Sequence, residues 1–382
     1  MPSRSLEIPQ AMTLPAYRHR ALSRPSETRV ILLEPALEPG APLRCDIVHV
    51  DRLALHLSDA GPDRYTAVSY TWGEPDFAED LVVDGRAVYK ITHNVDVMLR
   101  RLRRRREVLN LWIDAVCLNQ ADDAEKSVQV QLMGDIYARA LDVVVWLGDE
   151  APAVTRPAFA ALRSLALVDR ANGVSAPTVA RRAVDVCETI PLSALNTLLC
   201  SPWFGRRWVV QEAALAHVAT VHVGEESLPW KWLVDGMEML LMAVNVSHGP
   251  GTTNIDNGLT AQRDGDTGLD IFGDEARRAL QTIAAVALPD RHILTLLKRV
   301  EHTECFSAHD RLYSLFGVAS DIRKDPTAEP DDVIINGVDP IIYTQVDYTR
   351  QCECNWVLCF FLSGNPRGLS REWVPRAYPA TG

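Results

Sequence analysis

The first 90 residues contain short apolar runs that are broken by turn-forming residues. Residues 29–33, 43–50 and 65–72 are rich in β-branched, aromatic and other apolar side chains, which is typical of strands. Asp84-Gly85 lies between the apolar triplets 81–83 and 87–89, and this spacing predicts a hairpin. The pattern therefore begins with strands.

Strands and helices then alternate as far as residue 150. Asn94 is predicted to cap a helix with an apolar face, and residues 109–113 form a strand that ends at Asp114. Asp122 caps a second helix, and residues 143–147 form a continuous apolar strand. This order predicts an α/β fold with a mostly parallel sheet flanked by helices. We expect Trp112 and Ile113 to be covered on opposite faces of a central strand.

After residue 150 the pattern becomes mainly helical. Residues 1–27 lack periodicity and are predicted to be disordered, and the polar, glycine-rich stretch 247–274 is predicted to be a flexible loop. We expect a domain over 28–224 with its core at 65–216, and a mainly helical C-terminal region over 225–382. The predicted helices are 155–170, 176–200, 203–217, 275–288, 292–304 and 308–319, with a strand at 218–223 and short strands after 325.

Charge and composition exclude several classes of protein. The formal net charge is −11, which disfavours general binding to nucleic acid or to an anionic membrane. Apolar runs such as 143–147 are too short to span a bilayer, and the first twelve residues lack the apolar core of a secretory signal. The eight cysteines form no disulfide framework. We therefore expect a soluble cytoplasmic protein.

Acidic residues follow three predicted strands. Glu74 comes after Trp72-Gly73, Asp114 after residues 109–113, and Asp149-Glu150 after residues 143–147. Ligands of open parallel sheets bind beyond the carboxyl ends of the strands, so Trp72, Gly73, Glu74 and Asp114 are candidate ligand-binding residues. The alternative is that these residues only terminate strands, because turns favour Asp in any case.

Two other signals are weaker. Cys352, Cys354 and Cys359 have no nearby His and an unusual spacing for zinc, so no metal site is predicted. The arginines between Arg100 and Arg106 form a dense basic run. It could bind phosphate or an acidic partner, but we favour the solvated face of an amphipathic helix.

Six blocks of the sequence together resemble the fungal heterokaryon-incompatibility (HET) domain. A box at 371–378 (REWVPRAY) is similar to one found further along in such proteins. The residues of the motifs that this resemblance singles out are Trp112, Cys117, Asn119, Gln120, Glu125, Gln129, Tyr137 and Trp208. The six blocks are YTAVSYTWGE (65–74), ITHNVDVMLRRLR (91–103), LWIDAVCLNQADDAEKSVQVQLMGDIYARA (111–140), VVVWLGDE (143–150), SPWFGRRWVVQEAALA (201–216) and HDRLYSLFGVAS (309–320).

The resemblance implies an effector of programmed cell death in fungal self/non-self recognition, which acts with a protein partner or by self-association. HET domains in turn resemble TIR domains, and Trp208-x-x-x-Glu212 is similar to the turn that carries the catalytic glutamate of NAD-cleaving TIR enzymes. Trp146-x-x-x-Glu150 has the same spacing, but Trp208 begins a helix after three strand–helix alternations. The resemblance thus implies Glu212 as a catalytic residue, with an arginine such as Arg206 or Arg207 nearby.

Two interpretations of function stay open. In the first, the protein hydrolyses NAD, which would be a substrate, and no cofactor is expected. In the second, it is a non-enzymatic module that signals or oligomerises through a partner, and Glu212 is an ordinary helix residue among core aromatics. Asn119 and Gln120 are expected to have a structural role first, because such side chains tie loops to the backbone.

Overall fold

The structure, a computed structural model, describes residues 14–53, 61–62, 64–168, 176–187, 192–247, 272–305, 310–320, 322–323, 333–334 and 341–343. A mixed sheet of nine strands forms its centre, in the spatial order β5-β4-β2-β1-β6-β3-β7-β8-β9. The strands are β1 Glu27–Leu33, β2 Leu43–Asp51, β3 Thr66–Tyr70, β4 Glu79–Val83, β5 Ala87–Ile91, β6 Leu109–Trp112, β7 Asp142–Trp146, β8 Ala219–Val223 and β9 Glu226–Pro229.

Helices cover the sheet and build most of the described C-terminal part. A small sheet in the order β10-β12-β11 follows them, with β10 at Ile322–Arg323, β11 at Val333–Ile334 and β12 at Ile341–Tyr343. The helices are α1 His93–Leu102, α2 Asp114–Cys117, α3 Asp123–Arg139, α4 Pro152–Ala166, α5 Ala176–Cys187, α6 Leu192–Leu199, a 3₁₀ turn Pro202–Gly205, α7 Val209–Ala214, α8 Trp230–Ser247, α9 Asp274–Ala287, α10 Ile293–Arg299 and α11 Asp310–Tyr313.

The predicted α/β class is confirmed, and the sheet combines parallel and antiparallel pairs. β6, β3, β7 and β8 are neighbours in a parallel group. In chain order these strands are second, first, third and fourth, so the order along the sheet reverses between β3 and β7. β1 pairs antiparallel with both β2 and β6. Its pairing with β2 follows from the short connection that returns the chain from β1 directly into β2.

The core contains the predicted central strand. Trp112 and Ile113 are both fully buried, although the strand ends at Trp112 and Ile113 precedes α2. The indole Nε1 of Trp112 donates to Thr28 Oγ1 at 3.1 Å, and its ring contacts Tyr137 edge-on at 5.5 Å. The Tyr137 hydroxyl donates to the carbonyl of Val68, so α3 is tied to the middle of the sheet.

Helix boundaries differ from the prediction at several places. Thr92, not Asn94, caps α1 by accepting from the amide of Val95, whereas the Asn94 amide donates to the carbonyl of Thr71. Asp122 caps α3 as predicted, since its side chain accepts from two amides of the first turn. Thr92 and Asn94 lie two positions apart and are both good caps, so local sequence does not decide between them.

Other predicted helices are shorter than expected. Ser201 and Pro202 start a 3₁₀ turn, so the α-helix found within the predicted range 203–217 is limited to α7. The helix expected over 176–200 consists of α5 and α6, and residues 188–191 lie outside the description. Most of the predicted loop 247–274, the cysteines after 350 and the box at 371–378 also lie outside the described residues.

Residues 14–26 make specific contacts where the sequence predicts disorder. Ala16 bridges to Val88 of the edge strand β5, and the amide of Tyr17 donates to the Val88 carbonyl at 2.8 Å. The rings of Tyr17 and His19 pack edge-on against Tyr89. These partners lie about 70 residues away along the chain, so local composition gave no signal for them.

The basic run after α1 holds a turn in place. Arg100 pairs with Asp96 and donates to the carbonyl of Ala41, while Arg103 donates to the carbonyls of Pro39 and Ala41. Within the part of the chain that the structure describes, no helix is long and apolar enough to cross a membrane.

Candidate functional site

The carboxylate of Glu212 lies inside the protein at the carboxyl end of β3. Its helix, α7, follows the 3₁₀ turn, and Glu212 is 1% exposed. The hydroxyl of Ser69 donates to Glu212 Oε2, and the indole Nε1 of Trp203 donates to Ser69 Oγ at 2.8 Å. A continuous chain of hydrogen bonds therefore runs from Trp203 through Ser69 to the carboxylate.

Arg206 supplies the positive charge beside this carboxylate. One terminal nitrogen lies 3.8 Å from Glu212 Oε2 and donates to the carbonyl of Tyr70. The Arg206 side chain is 22% exposed, so the ion pair connects the buried acid to the protein surface. Arg206 was expected from the sequence as a helper of Glu212, and the structure brings the two together.

The electrostatic balance leaves Glu212 close to half ionised near neutral pH. Burial raises the pKa of Glu212 to about 7, and the negative charge of Asp114 acts in the same direction. Arg206 and the Ser69 hydroxyl lower the pKa, because both favour the charged form. A buried acid with a pKa near 7 can exist in either protonation state under physiological conditions.

Asp114 is the second acid that interacts electrostatically with Arg206. It begins α2 directly after β6, and its Oδ2 accepts from the indole Nε1 of Trp72 at 2.8 Å. The charges of Asp114 and Glu212 both contribute to a raised pKa of the Arg206 guanidinium, which burial opposes. Burial and the neighbouring Asp114 also raise the pKa of the Tyr70 hydroxyl. Two acids, one arginine and one tyrosine thus share one cluster.

The predicted ligand-binding residues separate into two groups. Trp72 and Asp114 belong to the cluster, whereas Gly73 and Glu74 lie exposed on the surface. Gly73 has a φ of +74°, which suits glycine at the bend where the chain leaves the strand end. Glu74 therefore does not converge with Asp114 and Glu212.

A narrow recess is lined by Trp72 and Tyr70 of this cluster. It is apolar and has room for about one water molecule. Glu212 is not part of its wall and is 1% exposed, so its carboxylate does not open into this recess. The wall consists of Tyr70, Trp72, Phe77, Tyr89, Lys90, Ile91, Thr92, Val95 and Ala115.

Arg207, the alternative helper of Glu212, points in another direction. Its guanidinium is buried and donates to the carbonyls of Val300 at 2.7 Å and Arg311 at 3.1 Å. Burial lowers its pKa to about 10. The side chain therefore fastens the C-terminal helices to the segment before α7 and leaves Arg206 as the partner of Glu212.

The motif residues around α2 and α3 contact the backbone and one another. Glu125 forms an ion pair with Arg29 and accepts from the amide of Asn119 at 3.0 Å. Gln120 donates to the carbonyl of Asp114, and Gln129 donates to the carbonyl of Glu27.

Two further motif residues are placed by packing. Cys117 is buried, and its pKa is raised to about 12 by burial, so the thiol stays protonated at neutral pH. Trp208 is partly buried and precedes α7.

Sequence reasoning missed Ser69 and Trp203 as partners of Glu212. Both residues lie in blocks that the sequence singled out, but 143 residues separate Ser69 from Glu212. In the described residues, no three His, Cys, Asp or Glu side chains are grouped closely enough to hold a metal ion.

Comparison with known proteins identifies the domain that carries this cluster. The family model for heterokaryon incompatibility protein (HET) matches residues 65–212, from the residue before β3 to Glu212 itself. This match covers less than half of the chain. The chain is similar to heterokaryon incompatibility protein 6, OR allele, of Neurospora crassa, with 46% identity over 99 residues. That match covers 23% of this chain and 15% of the relative, and no solved structure matches significantly.

Proposed function

We propose that this protein is an effector of fungal heterokaryon incompatibility that kills cells formed by fusion of unlike partners. The HET family match and the Neurospora relative support this role. The match covers 15% of that relative, so its trigger and partner are not carried over to this chain. Expression under an inducible promoter in a fungal host tests the role, and growth arrest is the expected result.

The molecular activity that we propose is hydrolysis of NAD at the Glu212 cluster. The strongest support is topological, because the parallel strands follow the flavodoxin-like order 2-1-3-4, and this order is compatible with a TIR-like fold. Ligands of such sheets bind at the point where the strand order reverses. Here that point lies between β3 and β7, and Ser69, Tyr70 and Glu212 lie at the end of β3.

The chemistry of this reaction needs few groups. The bond between the nicotinamide nitrogen and the ribose carbon breaks, and the electron pair leaves with neutral nicotinamide. Ionised Glu212 stabilises the positive charge that develops on the ribose, and Ser69 keeps the carboxylate oriented. Water then adds to the ribose carbon and releases a proton, which gives ADP-ribose.

Substrate access requires the cluster to open. Glu212 is 1% exposed, and the Arg206 guanidinium lies between it and solvent. We propose that Arg206 moves towards the diphosphate of the incoming dinucleotide, since a phosphate offers it a stronger partner than the carbonyl of Tyr70. This displacement would uncover the carboxylate.

The chain contains a matched control for Glu212. Glu150 has the same Trp-x-x-x-Glu spacing but is exposed after β7. Glu212→Gln keeps the shape of the side chain and removes its charge, so we expect a folded protein that neither kills nor consumes NAD. Glu150→Gln should retain both activities. Killing by folded Glu212→Gln at the parent level would exclude Glu212 from the mechanism.

The second candidate function is a non-enzymatic module that acts through association. The burial of Glu212 and the small size of the neighbouring recess favour it, because neither gives a dinucleotide direct access in this conformation. Under this interpretation, killing proceeds while the cellular NAD pool stays constant. Measuring NAD during the first hours of induced expression separates the two candidates.

A further inference from the structure

Two exposed surfaces at opposite ends of α1 are complementary in charge and in apolar content. The acidic loop is defined as residues 73–78. The two residues before it lie at the start of α1, where Thr92 donates to the carbonyl of Trp72 and Asn94 donates to the carbonyl of Thr71. The basic groove, lined by Leu37 and residues 104–107, lies beyond the end of α1. A helix of this length separates the two surfaces by about 15 Å.

The basic groove carries charge that the fold does not use. Arg104 pairs with Glu107 at 2.8 Å, and the other arginines of the run hold the turn before β2 or pair with acids. Arg105 and Arg106 are exposed and have no ion-pair partner among the described residues. Leu37 is 60% exposed and Val108 is 50% exposed. The groove therefore joins two free positive charges to the exposed Leu37, and the exposed Val108 follows the groove residues directly in the chain.

The acidic loop presents the opposite combination. Glu74 and Asp76 are exposed and have no ion-pair partner in the described part of the chain. Phe77, between them and β4, is 50% exposed. Two free carboxylates and one large apolar ring thus match the two arginines and Leu37 of the groove, together with Val108 beside it.

We propose that the acidic loop of one copy docks in the basic groove of a second copy, and that this contact assembles the protein head to tail. Arg105 and Arg106 pair with Glu74 and Asp76, and Phe77 packs between Leu37 and Val108. Because the two surfaces differ, the contact is heterologous, and each copy keeps one surface for the next copy. The assembly therefore grows into a filament or closes into a ring.

A second copy is the occupant because the chain itself carries the loop that matches the groove in charge and apolar content. Copies with a net charge of −11 repel one another in most orientations. The groove is a positively charged patch, so it favours the one orientation in which it faces the acidic loop of the other copy. Salt weakens both the repulsion and the local attraction, so charge reversal is a sharper test than ionic strength.

The test uses two reversed variants of the full chain. In the first, Arg105→Glu and Arg106→Glu reverse the groove; in the second, Glu74→Arg and Asp76→Arg reverse the loop. A control with Arg64→Glu and Arg86→Glu makes the same charge change as the groove variant, at exposed sites elsewhere. Circular dichroism confirms folding, and sedimentation velocity gives the mass as a function of concentration.

The expected masses follow from the pairing. The parent and the control exceed the 42.4 kDa of one chain as concentration rises, whereas each reversed variant associates at least about tenfold more weakly. An equal mixture of the two reversed variants regains association, since the unchanged loop of one fits the unchanged groove of the other. A parent that stays at 42.4 kDa, reversed variants that associate like the parent, or a mixture without association would each overturn the proposal. The result does not depend on Glu212, so it stands apart from the test of NAD hydrolysis.

Discussion

The guanidinium of Arg29 contacts both carboxylate oxygens of Glu125, at 2.6 and 2.9 Å, and joins β1 to α3. The Arg29 side chain has no exposed surface and also donates to the carbonyls of Cys117 and Arg20. Burial opposes the ionisation of Glu125, but Arg29 and the Asn119 amide outweigh it and lower its pKa. One ion pair thus fixes the N-terminal segment, the loop after α2 and the start of α3.

Glu125→Ala should strongly destabilise the protein. The substitution leaves the buried Arg29 guanidinium without its counter-ion, and loss of one partner of a buried pair costs about 3–5 kcal/mol. Denaturant unfolding of the parent and the variant measures this loss. Glu107→Ala is the control, because Glu107 pairs with Arg104 on the exposed surface and should change little. Equal effects of the two substitutions would contradict the structural role of Glu125.

The raised pKa of Glu212 should appear in the pH dependence of stability. Its ordinary pKa of 4.5 applies in the unfolded chain, and the folded value is about 7. Folding therefore gains stability from protonated Glu212 at low pH, and this contribution is lost as pH rises through the folded pKa. It amounts to at most about 3 kcal/mol.

Glu212→Gln tests this linkage because glutamine cannot ionise. Relative to the parent, the variant should gain melting temperature on going from about pH 5 to about pH 8. Thermal unfolding followed by circular dichroism at both pH values gives the difference. A constant difference between the two proteins would show that Glu212 keeps its ordinary pKa.

Gly317→Ala should loosen the C-terminal region from α7. A Cβ at this position would lie 2.4 Å from Gln211 Oε1, which accepts from the Gly317 amide at 2.8 Å. Overpacking of this kind costs about 1–3 kcal/mol. Gly205→Ala is the matched control, since a Cβ there meets nothing within 4 Å. Thermal unfolding compares the two variants, and a larger loss for the control would contradict the packing described here.

Gln120→Ala should lower stability without removing activity. Its side chain donates to the carbonyl of Asp114 at 3.1 Å, and loss of one such bond costs about 1 kcal/mol. Unfolding measurements and the killing assay, run at a temperature where the variant stays folded, check both parts. Unchanged stability together with lost killing would assign Gln120 to ligand contact. Asn119→Ala tests the same loop a second time, with the same measurements of stability and killing.

Local pattern was sufficient for most of the strands and for the Asp122 cap. Residues 143–146 form a continuous apolar run, which is typical of a strand buried on both faces. The helix α3 between β6 and β7 accounts for the shared direction of these two strands. The antiparallel insertion of β1 beside β6 could not be predicted, because it depends on a contact between segments about 80 residues apart.

The site shows the same division between local and distant information. Trp208-x-x-x-Glu212 drew attention to Glu212, and Arg206 lies near it in sequence. The acceptor role of Glu212 depends on Ser69, whose side chain faces it across the fold. The spacing also could not show that Glu150 is exposed and Glu212 buried, since both motifs read alike.

The family match ends at Glu212, in the middle of α7, although the bonds around it continue into the C-terminal helices. Arg207 bonds to Val300 and Arg311, and Gln211 bonds to Gly317. A recombination event that cut the gene at this boundary would produce a segment in which the buried side chains of Arg207 and Gln211 have lost these hydrogen-bond partners. Such a segment can move between genes only together with helices of its own, or into a host protein that supplies equivalent carbonyl and amide groups.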